Sequence, residues 1–208
     1  MMHPGVKAMK KLVVASIIGL LSCGALAQSP NDVVQGAADA LAVAIDGKKD
    51  ALAEDRDALF VVVDEILLPI FDRRYAAQLV LGRHWRDASD EERERFIDAF
   101  YKSLLRKYGE GVLQFDQDSL QILPFRGDDT KSRATVKTIV KLDYGTKVPV
   151  NYGVVKRDAG WMMFDVTIEG ISYVRNFRTE LNAEIQSKGL AAVIDRLNGA
   201  QDSTSAAE

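Results

Sequence analysis

The sequence predicts an α+β fold, one domain in which N- and C-terminal helices pack on a four-stranded antiparallel meander sheet. Three observations predict it. Apolar residues recur at helical spacing up to about Gly109, at a spacing of two from Ser119 to Ile168, and at helical spacing again from Val174. The period-two stretches are divided by Gly127-Asp128-Asp129, Asp143-Tyr144-Gly145 and Asp158-Ala159-Gly160, connections too short for a parallel crossover. No repeat or linker interrupts the 208 residues, a length that can bury a sizeable core without staples.

Residues 1–27 read as a Sec-type signal peptide. Lys7, Lys10 and Lys11 form a basic start, Leu12 to Leu21 is a short apolar run, and Ala25-Leu26-Ala27 is a small-x-small cleavage site. The run is too short to span a bilayer. A periplasmic mature protein follows, with its domain at 28–198 and a disordered tail at 199–208. Leu-Leu-Ser-Cys, ending at Cys23, loosely resembles a lipobox and makes lipidation the rival reading. Cleavage after Ala27 removes the only cysteine and three lysines, leaving 24 basic residues against 30 acidic ones. A net charge near −6 argues against nucleic acid and against non-specific adhesion to an anionic membrane.

Along the mature chain, Asn31 begins an amphipathic helix (Val33, Val34, Ala37, Ala38, Leu41, Ile45) that Gly47 can close. A second helical region runs from about Asp50 to Leu68. Pro69 discourages helical geometry at Leu68 and marks a break. A short helix spans about Asp72 to Leu81, ended by Gly82. Ser89 and Glu92 then form a capping box, with acids in the first turn where the dipole favours them. Phe96, Phe100, Leu104 and Tyr108 follow as a stripe at i+4 steps.

The four expected strands are SLQILPF, SRATVKTIVKL, TKVPVNYGVVK and WMMFDVTI. In the second, Ala134, Val136, Thr138, Val140 and Leu142 oppose Arg133, Lys137 and Lys141. In the third, Val148, Val150, Tyr152 and Val154 oppose Lys147 and Asn151. One face is buried and one wet. Pro149, lacking a donor, belongs at an edge, a bulge or an outward-pointing position. In the fourth, Met162, Phe164, Val166 and Ile168 share a face that turns at Glu169-Gly170 directly into the apolar face of a helix (Val174, Phe177, Leu181). That junction is either ordinary core or the corner of a cavity. From residues alone it reads as core, since most such faces are fully packed. A last short helix carries Leu190, Val193, Ile194 and Leu197.

Catalytic chemistry is sparse. His84 is the only histidine outside the signal, which rules out a Cys/His metal cluster, and GRHWRDAS lacks a nucleophile elbow. No Gly-rich phosphate loop follows a strand, so nothing calls for a cofactor. Asp72 and Asp165, each beside a Phe, suit capping or hydrogen bonding better than acid–base work. Arginines 73, 74, 83, 86, 93 and 95 make a basic band suited to a headgroup or an acidic partner, though ion pairing is the simpler account. An enzyme acting on a small hydrophobic substrate has only Asp165, Tyr152 and Tyr173 as candidate polar groups. A fully packed adaptor protein is a further alternative.

The runs DEILLPIFD, LVLGRHWRDASDEERERFIDAFYKSLLRKYGEGVL and WMMFDVTIEGISYVRNFRTELNAEI resemble the MlaC family of periplasmic phospholipid-binding components of ABC-type transport systems. Gly82 to Trp85 and Asp165 to Ser172 are specific together. Arg73-Arg74-Tyr75 departs from the family's more apolar helix start. The resemblance implies a monomeric, non-enzymatic carrier with an apolar pocket between sheet and helices for phospholipid tails. It implies partners in an outer-membrane lipoprotein–porin complex and an inner-membrane MCE-domain ABC transporter, and a role in outer-membrane lipid asymmetry. The tail-binding residues it suggests are Leu67, Phe71, Leu79, Leu81, Phe96, Phe100 and Leu104 from the first helices. From the strands come Val148, Val150, Tyr152, Phe164, Val166 and Ile168, and from the final corner Tyr173, Val174 and Phe177.

Overall fold

Capping residues set most of the helix boundaries. In the computed structural model, which describes residues 29–199 apart from 129, 143 and 144, helix α1 is Pro30–Ile45. It starts one residue before the expected Asn31 because Ser29 and Asp32 form a capping box and proline fits the first turn. The signal segment, Cys23, the tail beyond Gly199 and the turn residues Asp129, Asp143 and Tyr144 lie outside the described residues.

The helical region expected from Asp50 to Leu68 is two helices, α2 (Lys49–Glu54) and α3 (Arg56–Leu67). Asp55 separates them, and its carboxylate caps α3 by accepting from the Ala58 N–H at 2.9 Å. Leu68 keeps right-handed helical angles despite Pro69, because its N–H bonds the Asp64 carbonyl; the chain leaves helical geometry only afterwards. Helix α4 (Arg73–Leu81) is capped by Asp72 and closed by Gly82 at φ 55°. A single turn, α5 (His84–Asp87), leads to α6 (Asp90–Tyr108), where the Ser89/Glu92 capping box forms as read. The chain then tightens into a 3-10 segment, Gly109–Gln114.

The sheet is antiparallel in sequence order, β1 (Leu120–Ile122), β2 (Arg133–Lys141), β3 (Lys147–Arg157), β4 (Gly160–Ile168) and β5 (Ile171–Ser172). It has five strands, not four. Glu169 (φ 48°) and Gly170 (φ 85°) form a two-residue hairpin that pairs Ile168 with Ile171 before helix α7 (Tyr173–Lys188) begins. Pro124 shortens β1, although Leu123 still bonds Lys137. Pro149 sits opposite Ile139, just past the end of β4, and its carbonyl accepts from Glu169. Leu142, expected on the buried face, is exposed beyond the end of β2. Helix α8 (Leu190–Gly199) closes the described chain.

The single-face reading of β4 fails at a β-bulge. Gly153 pairs with Asp165 but Val154 pairs with Met163, which leaves Phe164 as an extra residue. Beyond the bulge the phase inverts. Met163 and Trp161, not Met162, are buried against Val136, Val154 and the Val33, Val34 and Ala37 face of α1. A second core joins α4, α6, α7 and α8 around Phe96, Phe100, Phe177, Leu181 and Ile194. A third, smaller one gathers Ile45, Leu52, Leu59 and Val63 under the 3-10 segment.

Candidate functional site

Between these cores lies a cavity of about 250 Å³. Val63 and Leu67 of α3 and Phe71 form one wall. Phe100, Tyr101, Leu104, Leu105 and Tyr108 supply the side of α6 along it, and Gly109 and Val112 continue that wall. Residues 164–166 and Ile168 of β4 and Tyr173, Val174 and Phe177 of α7 complete it. From Tyr101 to Tyr108 the helix rises roughly 10 Å. Val63, Phe100 and Tyr101 are buried, whereas Tyr108 is 36% exposed, so the cavity runs from an interior floor to an open rim at Tyr108.

Aromatic pairs brace the walls. Phe96 stacks on Phe100 at 5.7 Å between ring centres, Phe100 meets Phe177 edge-on at 5.4 Å, and Tyr108 meets Tyr173 edge-on at 4.9 Å. The bulge matters here too. A Cβ on Gly153 would lie 3.0 Å from Phe164 Cζ, so glycine is what lets the Phe164 ring cross β3 and meet Tyr75 edge-on at 5.0 Å.

The polar groups in the wall are few. Asp165 is its one charged side chain, and both its oxygens are engaged. Ser172 Oγ donates to one at 2.6 Å and the Val174 N–H to the other at 3.0 Å. Asp165 therefore fixes the start of α7 against β4, the hydrogen-bonding role read for it. The Tyr101 hydroxyl is buried without a hydrogen-bond partner among the described residues. Burial, and then the neighbouring Asp64 carboxylate, push it well above the ordinary tyrosine range. Burial also raises Tyr108, to about 12. At the rim the Lys107 ammonium lies 5.5 Å from the Tyr108 ring centre and 5.4 Å from that of Phe177. No group of three His, Cys, Asp or Glu placed to hold a metal ion occurs among the described residues.

Of the suggested tail-binding residues, the fold brings Leu67, Phe71, Phe100, Leu104, Phe164, Val166, Ile168, Tyr173, Val174 and Phe177 together around the cavity. It places six elsewhere. Phe96 and Leu81 are sealed inside the helical core, and Leu79 packs against it from outside. Tyr152 sits over the α1-side core. Val150 is buried and Val148 half-buried, one strand in from the cavity edge of the sheet. The suggested set omitted Val63, Tyr101, Leu105, Tyr108, Gly109, Val112 and Asp165, which also line the cavity. The i+4 stripe Phe96, Phe100, Leu104, Tyr108 does reach the cavity after its first member, and what it missed is the adjacent row, Tyr101 and Leu105, that widens the cavity side of α6.

The other flagged groups are structural. Asp72 caps α4 and pairs with Arg157 at 2.7 Å. His84 Nε2 lies 3.0 Å from Asn182 Oδ1. Within the arginine band, Arg74, Arg93 and Arg95 form ion pairs with Glu94, Asp90 and Asp195, and Arg74 and Arg93 lie over the Trp85 ring. Arg73 lies over Tyr101, behind the cavity wall.

The family model described as "MlaC protein" matches residues 35–199. The chain belongs to the MlaC family. It is 28% identical over 179 residues to the toluene tolerance protein ttg2D of Pseudomonas putida, covering 86% of this chain and 82% of that protein. It is 31% identical over 94 residues to the intermembrane phospholipid transport system binding protein MlaC of Haemophilus influenzae, 45% of this chain and 44% of that one. The fold is similar to that of a phospholipid-binding protein from Ralstonia solanacearum solved in complex with a phospholipid. Its TM-score is 0.76 at 24% identity, with 83% of this chain and 98% of the other superimposed. For this MlaC-family chain the apolar corner that residues alone assigned to solid core instead lines the cavity.

Proposed function

We propose that this protein is a periplasmic phospholipid carrier that shelters acyl chains in the cavity and leaves the headgroup at the Tyr108 rim. The observation that carries this reading is an apolar hollow of about 250 Å³ that the protein's own side chains leave unfilled and that opens at the Tyr108 rim. Water in it finds few polar partners, so an apolar ligand is its better occupant.

Such a ligand does not escape into water. At about 0.8 kcal/mol per buried methylene, two chains of about 15 carbons oppose release by more than 20 kcal/mol. Transfer therefore takes place where the tails are buried at both ends, inside docked complexes. The partners are the outer-membrane lipoprotein–porin complex and the inner-membrane MCE-domain transporter, and the result is maintenance of outer-membrane lipid asymmetry. The signal segment, cleaved after Ala27, delivers the protein to the compartment between them.

An enzymatic reading has little to work with. Asp165 is committed to Ser172 and Val174, and the remaining polar groups of the wall are tyrosine hydroxyls. Mass spectrometry of organic extracts of the purified protein tests the proposal. Intact diacyl phospholipid at near-stoichiometric ratio is expected. Lipid-free protein, lysolipid and free fatty acid accumulating on incubation, or loss of lipid into plain buffer within seconds would each overturn it.

A further inference from the structure

The sheet has a second face, and it is basic. Arg133, Lys137 and Lys141 project from β2 on the side opposite Val136 and Thr138, and Lys147 stands directly across from Lys141. The loop after β1 crosses the start of this face and makes a concave surface lined by Arg126, Lys131, Arg133 and Lys137, with Thr135 between the last two. The concavity is separate from the apolar cavity and shares no lining residue with it.

Three observations set this face apart from an ordinary solvated one. The described lining contains a single carboxylate, Asp128, and it is occupied by Thr130, whose N–H donates at 3.0 Å. Arg126, Lys131, Lys137, Lys141 and Lys147 have no ion-pair partner among the described residues, whereas Arg74, Arg93 and Arg95, three of the six arginines of the helical band, are paired. Lys141 opposite Lys147 is a like-charge cross-strand pair, an arrangement that weakens a ladder. Folding gains nothing from it, and the chain carries it against an acidic overall balance.

The start of the loop, from Leu123 to Gly127, is held in place. The Leu123 N–H bonds Lys137 at 2.9 Å, Asn31 Nδ2 donates to the Leu123 carbonyl at 3.0 Å, and Gly127 folds over the Phe125 ring where a Cβ would meet it at 2.5 Å. A fixed, recessed, positive surface fits a protruding group of carboxylates better than a planar sheet of headgroups. We infer that this basic face docks an acidic segment of a partner protein, bound through carboxylates in the concavity between the β1–β2 loop and β2. Complementary charge over such a patch speeds encounter and fixes orientation, while the lipid cavity on the other side stays free for exchange.

The test uses the full mature protein and a fluorescein-labelled octaglutamate peptide, read by anisotropy at low and physiological salt. Binding that weakens with salt and falls by about tenfold or more in R133E/K137E is expected. The uncharged variant R133Q/K137Q should fall between the two. Carbodiimide cross-links from peptide carboxylates should land on Lys131 and Lys137. Lipid content of both variants should match the native protein, since neither position touches the cavity. Equal peptide binding by native and reversed proteins, or cross-links confined to Lys102 and Lys188, would overturn the inference. So would vesicles of phosphatidylcholine with phosphatidylglycerol showing the charge dependence while the peptide shows none, which would assign the face to a bilayer.

Discussion

One sheet supports two apolar regions of nearly the same composition, and only one of them is solid. Beside α1, Val136, Val154, Trp161 and Met163 close against Val33, Val34 and Ala37. At the other end, Val166 and Ile168 look across a gap toward α3, α6 and α7. The difference lies in what spans the space. Helix α1 brings small β-branched and alanine side chains down onto its strands. Opposite β4, the walls are propped by edge-on aromatic pairs whose rings fix the spacing without filling it. Hydrophobicity places a residue inside; it does not say whether anything meets it there.

The comparison is sharpest where the solid side is opened. Trp161→Ala should cost about 3–5 kcal/mol in denaturant unfolding, because a fully packed ring is lost with no ligand to replace it. A loss below about 1 kcal/mol would mean that the α1-side core is looser than its burial indicates. Next comes the junction between the regions. Gly153→Ala places a methyl 3.0 Å from Phe164 Cζ and 3.2 Å from Asp165 Cβ. Displacement of that ring should cost about 1–3 kcal/mol and lower lipid content together. Loss of stability with full lipid retention would separate the bulge from the cavity.

Much of this was legible in the chain. The capping box at Ser89 and the change of period at Ser119 marked the start of α6 and the onset of the strands where they are found. Two physical facts were not. A bulge carries no mark in an alternating pattern: MMFDVTI reads as unbroken alternation, yet Phe164 is extra and every residue before it changes face. Likewise α6 is apolar on its core side and its cavity side alike, so the stripe Phe96, Phe100, Leu104, Tyr108 could not show that Phe96 is sealed in core while Phe100, Leu104 and Tyr108, with Tyr101 and Leu105 beside them, face a gap. Asp165 could be read as a hydrogen-bonding residue from its apolar surroundings beside Phe164, but its partners Ser172 and Val174 and its position at the cavity wall required the fold.

Filling the hollow side should cost little. Leu104→Trp puts an indole into space the protein leaves open, so lipid-free variant and lipid-free native protein should unfold within about 1 kcal/mol of each other. Co-purified phospholipid per protein should drop several-fold all the same. Unchanged lipid content would show that the tails lie elsewhere and would remove the basis for reading this region as hollow by function.

The smallest effect belongs to a closed part of the helical layer, remote from the gap. Arg196 of α8 donates to both carboxylate oxygens of Glu184 on α7, from Nε at 2.8 and 3.0 Å and from Nη2 at 2.6 Å, with the Lys188 ammonium nearby at 3.6 Å. The Arg196 hydrogen bonds hold the Glu184 carboxyl below its usual 4.5 in the folded protein. The unfolded chain therefore takes up a proton before the folded one does as pH falls. The pair's stabilisation is fully present above the ordinary carboxylate value and fades as pH drops through the lowered folded one. Glu184→Gln should cost about 1 kcal/mol or less at pH 7, given that Arg196 is 41% exposed, and should flatten the acid limb of the stability curve below about pH 4.5. Lipid content should not change. An acid limb as steep as the native one would mean that α8 is held by its apolar contacts with α6 alone, and a fall in lipid content would mean that the closed side of the layer and the open cavity are mechanically coupled.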